Sequence, residues 1–154
     1  MESKDKIKII GIETSSKISM METFKDIKYY NEKFQFNKIL IDSGGLGQAM
    51  ADILINELGK FKIVELNNRS RSVLDEDMKG KILKEDLYSN LLELMEFKKI
   101  EMIKDERLLK SLKNISFEYK DDKVKISGKN DHVAEACIRA VWGMKEKGLK
   151  LFLS

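Results

Sequence analysis

The sequence predicts a single α/β domain with a mainly parallel centre, spanning residues 1–154. Three observations predict it. Short runs rich in isoleucine, leucine and valine recur at residues 6–12, 38–42 and 62–66, too brief for helices and rich in β-formers. Longer stretches with apolar residues three and four apart separate them, which is the helical period. Two short segments flanking Asp121-Asp122 near the C-terminal end read as a hairpin with an acidic turn. Strand alternating with helix is the pattern of a parallel sheet covered by helices.

Taken in order, residues 6–12 read Lys-Ile-Lys-Ile-Ile-Gly-Ile, a β-like alternation that breaks into an apolar run. Residues 14–19 form a turn or a short second strand. Residues 24–34 carry Phe24, Ile27, Tyr30 and Phe34 at helical spacing. Residues 38–42 are a strand apolar enough to be buried on both faces. Residues 49–58 form a helix that ends at Gly59, a C-cap signal. Residues 62–66 are the next strand.

Residues 67–79 hold Arg69, Arg71, Lys79, Asp75, Glu76 and Asp77 with little apolar content, and read as a mobile loop. Residues 81–97 make a long helix whose inner face is Ile82, Leu83, Leu87, Leu91, Leu94 and Met95. Residues 100–103 are a short edge strand, and 105–112 a short helix with Asp105 as N-cap. The hairpin strands are 115–119 and 123–127. Residues 131–147 form the last helix, ending before Gly148.

Length and composition exclude several classes. A chain of 154 residues with 42% hydrophobic content can bury one core. Charged residues reach 36%, yet the net charge is only +3, so charge alone does not indicate a nucleic-acid partner. The single cysteine, Cys137, excludes an intrachain disulfide and a cysteine zinc site, and reads as a buried structural thiol. No apolar run approaches the roughly 18 residues of a membrane span, and no signal peptide is visible. These features lead to the expectation of a reducing, cytoplasmic location without a membrane partner. No lysine-plus-hydroxyl phosphate loop is present.

The chemistry-bearing residues concentrate at two places. Asp42 ends an apolar strand and runs into Ser43-Gly44-Gly45-Leu46-Gly47. A carboxylate there lies at the edge where open α/β sheets bind ligands. It can ligate a metal, sit in a dinucleotide-binding turn, or cap the following helix. The glycine spacing is wrong for Gly-x-Gly-x-x-Gly, and an aspartate would repel a pyrophosphate. Far down the chain, Asn130-Asp131-His132 opens the last helix. Asp131 can be an N-cap or a ligand, and Glu135 one turn on can face the same point. Two acids delivered by a strand end and a helix start are how divalent-metal sites are built. His132, the only histidine, fits a role orienting a carboxylate or phosphate. Glu13 follows the first strand and is a candidate third carboxylate. Arg69, Arg71, Lys79, Lys81 and Lys84 form either a solvated face or a track for phosphates.

The run Ile39-Leu40-Ile41-Asp42-Ser43-Gly44-Gly45-Leu46-Gly47, followed by Met50-Ala51-Asp52-Ile53-Leu54, resembles the second acidic motif of the nuclease domain of tailed-phage terminase large subunits. Lys84-Glu85-Asp86-Leu87-Tyr88, with Leu91-Leu92 and then Ile100, looks like that family's long helix and short strand. The hairpin followed by Gly128-Lys129-Asn130-Asp131-His132-Val133-Ala134-Glu135-Ala136 looks like its third acidic motif. The resemblance covers roughly residues 38–142. It implies an RNase H-like mixed sheet flanked by helices, with a C-terminal hairpin and helix. It also implies a DNA-packaging endonuclease that cuts double-stranded DNA with Mg²⁺ or Mn²⁺, with the small terminase subunit and the portal protein as partners.

By position, the resemblance makes Asp42 the second acid and Asp131 the third, with Glu13 or Glu135 completing the set. The family's first acid is separated from its second by two hairpin strands and a helix, and the segment between Glu13 and Asp42 is short for these. Either Glu13 is the first ligand, or the chain begins after the family's first strand; the spacing favours the second. The family's ATPase domain is absent from this sequence. Two rivals remain open. One is a nuclease-like domain that serves only to bind DNA or to dock on the packaging motor. The other is an actin-like nucleotide-binding domain, because Gly11-Ile12-Glu13-Thr14-Ser15 resembles the opening strand of such proteins.

Overall fold

A computed structural model describes residues 6–67, 83–120 and 123–151. The elements run β1 (Ile7–Lys8), α1 (Met20–Phe34), β2 (Ile39–Asp42), α2 (Gly47–Leu58), β3 (Ile63–Leu66), α3 (Leu83–Glu96), β4 (Ile100–Glu101), α4 (Glu106–Lys113), β5 (Ile115–Lys120), β6 (Lys123–Gly128) and α5 (His132–Leu151). The chain divides into two compact units, Thr14–Asn68 and Met1–Glu13 with Arg69–Ser154.

In the unit Thr14–Asn68, β2 and β3 pair in parallel, with Asp42 opposite Leu66. Helix α2 supplies the crossover between them, as parallel pairing requires. Its Met50, Ala51 and Leu54 pack with Ile63 of β3, and Met20, Phe24, Ile27, Ile39, Ile41, Ile55 and Leu58 close around that cluster. Strand β2 is only partly buried, and Asp42 is exposed, so the expectation of a strand buried on both faces does not hold for this unit.

Residues 14–19 form no strand. Ser19 instead caps α1: its hydroxyl accepts from the Glu22 amide at 3.2 Å, and Glu22 Oε2 accepts from the Ser19 amide at 2.7 Å. This reciprocal Ser-x-x-Glu box starts the helix four residues before the apolar spacing suggested.

In the other unit, β1 pairs in parallel with β4, and β5 and β6 form the antiparallel hairpin, with Ile115 opposite Gly128. Helix α5 packs against α3 and α4. Ala134, Cys137, Ile138, Val141 and Trp142 of α5 are buried, as are Leu87, Tyr88 and Leu91 of α3 and Leu108 of α4. Each fully buried side chain of the size of Leu87 or Ile138 contributes about 1.5–3 kcal/mol. The inner face of α3 is narrower than its sequence suggested, because Met95 is 45% exposed. Burial raises the Cys137 thiol to about 11, which makes it a poor nucleophile at neutral pH. Gly148 does not stop α5, which continues to Leu151; one glycine costs a helix roughly 1 kcal/mol, too little to end it. Among the described residues, no helix is long and apolar enough to cross a membrane.

Asp105 caps α4 as its position suggested, accepting from the amides of Arg107 at 2.8 Å and Leu108 at 3.3 Å. The Arg107 guanidinium beside it holds its carboxyl down to about 2. A folded-state value below the unfolded one stabilises the fold above the unfolded value, and that stabilisation is lost as pH falls through the folded value. Asp105→Ala should therefore lower the melting temperature at pH 7, and the gap from the parent should narrow between pH 4 and pH 2. A gap independent of pH in thermal melts would show that the charge on Asp105 plays no part.

Candidate functional site

The Asp42 turn is built by glycines. Asp42 Oδ1 accepts from the Gly44 amide at 3.0 Å, an Asx-type turn that aims the carboxylate away from the strand. Helix α2 begins after Leu46, whose own side chain gives no cap, and the Asp42 carboxylate shapes the turn that leads into it. Gly47 lies against the Asp42 backbone: a Cβ there would sit 1.7 Å from the Asp42 carbonyl oxygen. No side chain can occupy that position without moving the strand end.

The Asp131 end belongs to the other unit and is held from several directions. In α4, Ser111 is buried; its hydroxyl accepts from the Ala134 amide at 2.9 Å and donates to the Asn130 carbonyl at 3.3 Å. Asn114 donates to the Lys129 carbonyl at 3.1 Å. The start of α5 is thus capped by a neighbouring helix, and residues 129–131 are fixed by it. Gly128 gives Asp131 room, since a Cβ there would lie 3.0 Å from Asp131 Oδ2 and 2.9 Å from Ile115 Cδ1.

Asp131 and Glu135 do face a common point, and a cation occupies it. Lys84 Nζ lies 2.8 Å from Glu135 Oε1 and 3.9 Å from Asp131 Oδ2. The Tyr88 hydroxyl donates to the same Glu135 oxygen at 3.1 Å. The other, Oε2, accepts from Arg139 Nη1 at 2.9 Å, and Arg139 also donates to the Glu135 carbonyl at 2.6 Å. Arg139 is almost wholly buried. Burial and the nearby carboxylates of Glu135 and Asp131 push the Tyr88 hydroxyl well above its ordinary value, so it stays protonated and donates.

Two of the remaining candidates are exposed. Glu13 is exposed, and its charge acts on Arg107, which also donates to the Ile12 carbonyl at 3.0 Å. His132 is the first residue of α5 and is exposed. Arg69, Arg71, Lys79 and Lys81 lie outside the described residues, as does most of the loop expected at 67–79. Within neither unit, among the described residues, do three or more His, Cys, Asp or Glu side chains converge to hold a metal ion.

Ser111, Asn114 and Arg139 are not singled out by the sequence, and Tyr88 and Gly128 enter there only within the runs that carry the resemblance. Arg139 had a visible signal, four residues beyond Glu135 on one helix face. Ser111 and Asn114 had none, because their partners lie on another element.

No protein-family model matches the chain, and no curated protein does. Solved structures do. One is the large terminase nuclease from the thermophilic phage G20c with bound magnesium, at 21% identity and a TM-score of 0.59, covering 79% of this chain and 61% of that one. Another is the large terminase nuclease domain of Thermus phage P74-26, at 20% identity and a TM-score of 0.59, covering 81% of this chain and 60% of that one. The chain therefore has the fold of a phage large-terminase nuclease domain, an RNase H-like α/β fold. It spans about three fifths of the length of those structures.

The glycines make a graded test. Gly47→Ala should destabilise the protein by about 1–3 kcal/mol, because the clash is with backbone. Gly128→Ala should cost less, because side chains can yield, and Gly11→Ala, which meets nothing within 4 Å, should cost nothing measurable. Urea unfolding of the three variants checks the order; a Gly47→Ala protein as stable as Gly11→Ala would refute the described turn.

Proposed function

We propose that the chain is a metal-dependent endonuclease domain of a phage or prophage DNA-packaging terminase large subunit, cutting concatemeric double-stranded DNA. The observation that carries the reading is the shared fold with two terminase nucleases, in a chain with one aspartate in a glycine turn at a strand end and another at a helix start behind a hairpin. One of those nucleases was crystallised with magnesium, and the donors here are carboxylate oxygens, the ligands that Mg²⁺ and Mn²⁺ take. The space left beside Asp131 by Gly128, and the ammonium already drawn to it, fit a cation-binding position.

On this reading Asp42 and Asp131 each serve as a metal ligand, and Glu13 remains the candidate for a further one. A bound divalent ion would supply an activated water and stabilise the leaving oxygen of the phosphodiester. The Gly44 amide orients the Asp42 carboxylate, and Ser111 and Asn114 set the position of Asp131. Glu135, with both oxygens engaged, holds Lys84 and Arg139 in place. His132, exposed at the start of α5, would orient a phosphate or the Asp131 carboxylate. Arg69, Arg71, Lys79 and Lys81 would contact DNA phosphates without reading sequence, and the small terminase subunit and portal would be the partners.

Cleavage of plasmid DNA should require Mn²⁺ or Mg²⁺ and fall at least a hundredfold in both Asp42→Asn and Asp131→Asn, since asparagine keeps the shape and removes the charge. Undiminished cleavage in either variant, in chelator-controlled buffer, would rule out that residue as a ligand. DNA binding without any cleavage by the parent chain would favour a docking module over an enzyme.

A further inference from the structure

Lys84 does not lie with the exposed lysines. Its side chain is 23% exposed, its ammonium sits 5.8 Å from the centroid of the Tyr88 ring, and it reaches both Asp131 and Glu135. The two carboxylates receive it unequally. Glu135 also has the Tyr88 hydroxyl and Arg139, whereas Lys84 approaches Asp131 only at 3.9 Å. The four charges, Lys84 and Arg139 against Asp131 and Glu135, already sum to zero. A divalent ion bound to Asp131 has metal–oxygen distances of about 2 Å, and so comes within a few ångströms of the ammonium unless the lysine moves. At that separation in a partly buried site the repulsion is strong and poorly screened.

We infer that Lys84 is a built-in cation that competes with the divalent ion for Asp131, so that loading the site requires its ammonium to withdraw. Lys84 is thus a positioning residue: its ammonium stands beside Asp131 while no ion is bound, and it sets the ion concentration at which the site fills. The inference rests on the nuclease reading for the identity of the ion, but it is read from ion binding and not from cleavage. Cleavage that survives Asp131→Asn would sink the nuclease assignment of that residue while leaving the competition measurable.

The experiment is calorimetric titration of Mn²⁺ into the full chain and its variants. Lys84→Met keeps most of the stem over Tyr88, and Glu135 keeps Tyr88 and Arg139, so the fold has compensation for the loss. Lys84→Met should bind Mn²⁺ at least tenfold more tightly than the parent. Lys84→Arg should stay close to the parent, because the charge remains. Lys84→Met combined with Asp131→Asn should lose the gain. Equal or weaker binding by folded Lys84→Met would overturn the inference and make Lys84 a supporting partner of the site. A second measurement uses the parent chain alone: acylation of the Lys84 amine should accelerate when Mn²⁺ is added, with Lys28, which pairs with Glu57 in the other unit, as the internal reference. A Lys84 rate unmoved by millimolar Mn²⁺ would equally overturn it.

Discussion

The arrangement of the Asp131 end depends on one largely buried charge, the Glu135 carboxylate. It lies one turn into α5 and would be costly there without partners. Arg139 from the same helix and Lys84 and Tyr88 from α3 supply them. Each partner removed leaves the Glu135 charge less compensated in a largely buried place. The network therefore fixes the register of α3 against α5 in a way that the apolar contacts of Leu87, Leu91, Ile138 and Val141 alone do not, since apolar packing is not directional.

That register has a chemical consequence. With α5 fixed, Asp131 emerges at its first turn beside the Lys84 ammonium, and α4 holds the preceding backbone through Ser111 and Asn114. The two aspartates are presented by different means. Asp42 depends on a turn in which Gly47 touches its carbonyl and Gly44 donates to its side chain. Asp131 depends on a helix start capped by another helix. Rigid backbone holds the first, and a polar network that a single side chain can rearrange holds the second. A carboxylate that is itself ion-paired is therefore expected to respond to solution conditions more than one set by a backbone turn.

Much of the chain was legible from periodicity and punctuation. The strand 38–42, the helix ending at Gly59, the cap at Asp105, the hairpin around Asp121-Asp122 and the buried Cys137 all follow from local rules, and each is present within a residue or two. The start of α1 was misplaced because the apolar spacing begins at Phe24, whereas the Ser19–Glu22 capping box supplies the nucleating bonds. Of the turn or short strand expected at 14–19, no strand forms, and Ser19 is committed to the helix as its cap.

Sequence alone determined the kinds of chemistry available: an aspartate with glycines after a strand, an aspartate and glutamate one turn apart at a helix start, and no cysteine or phosphate-loop alternative. Spacing of three or four residues on a helix is a local property, so the shared direction of Asp131 and Glu135 could be read without a fold. What occupies the point they share could not. Lys84 lies on a different helix, Ser111 on a third, and Gly128 at the end of a hairpin, and their meeting depends on side-chain packing between elements distant in sequence. Tertiary structure decided that these acids face an ammonium of the protein's own, because only the docking of α3 on α5 brings that charge within reach.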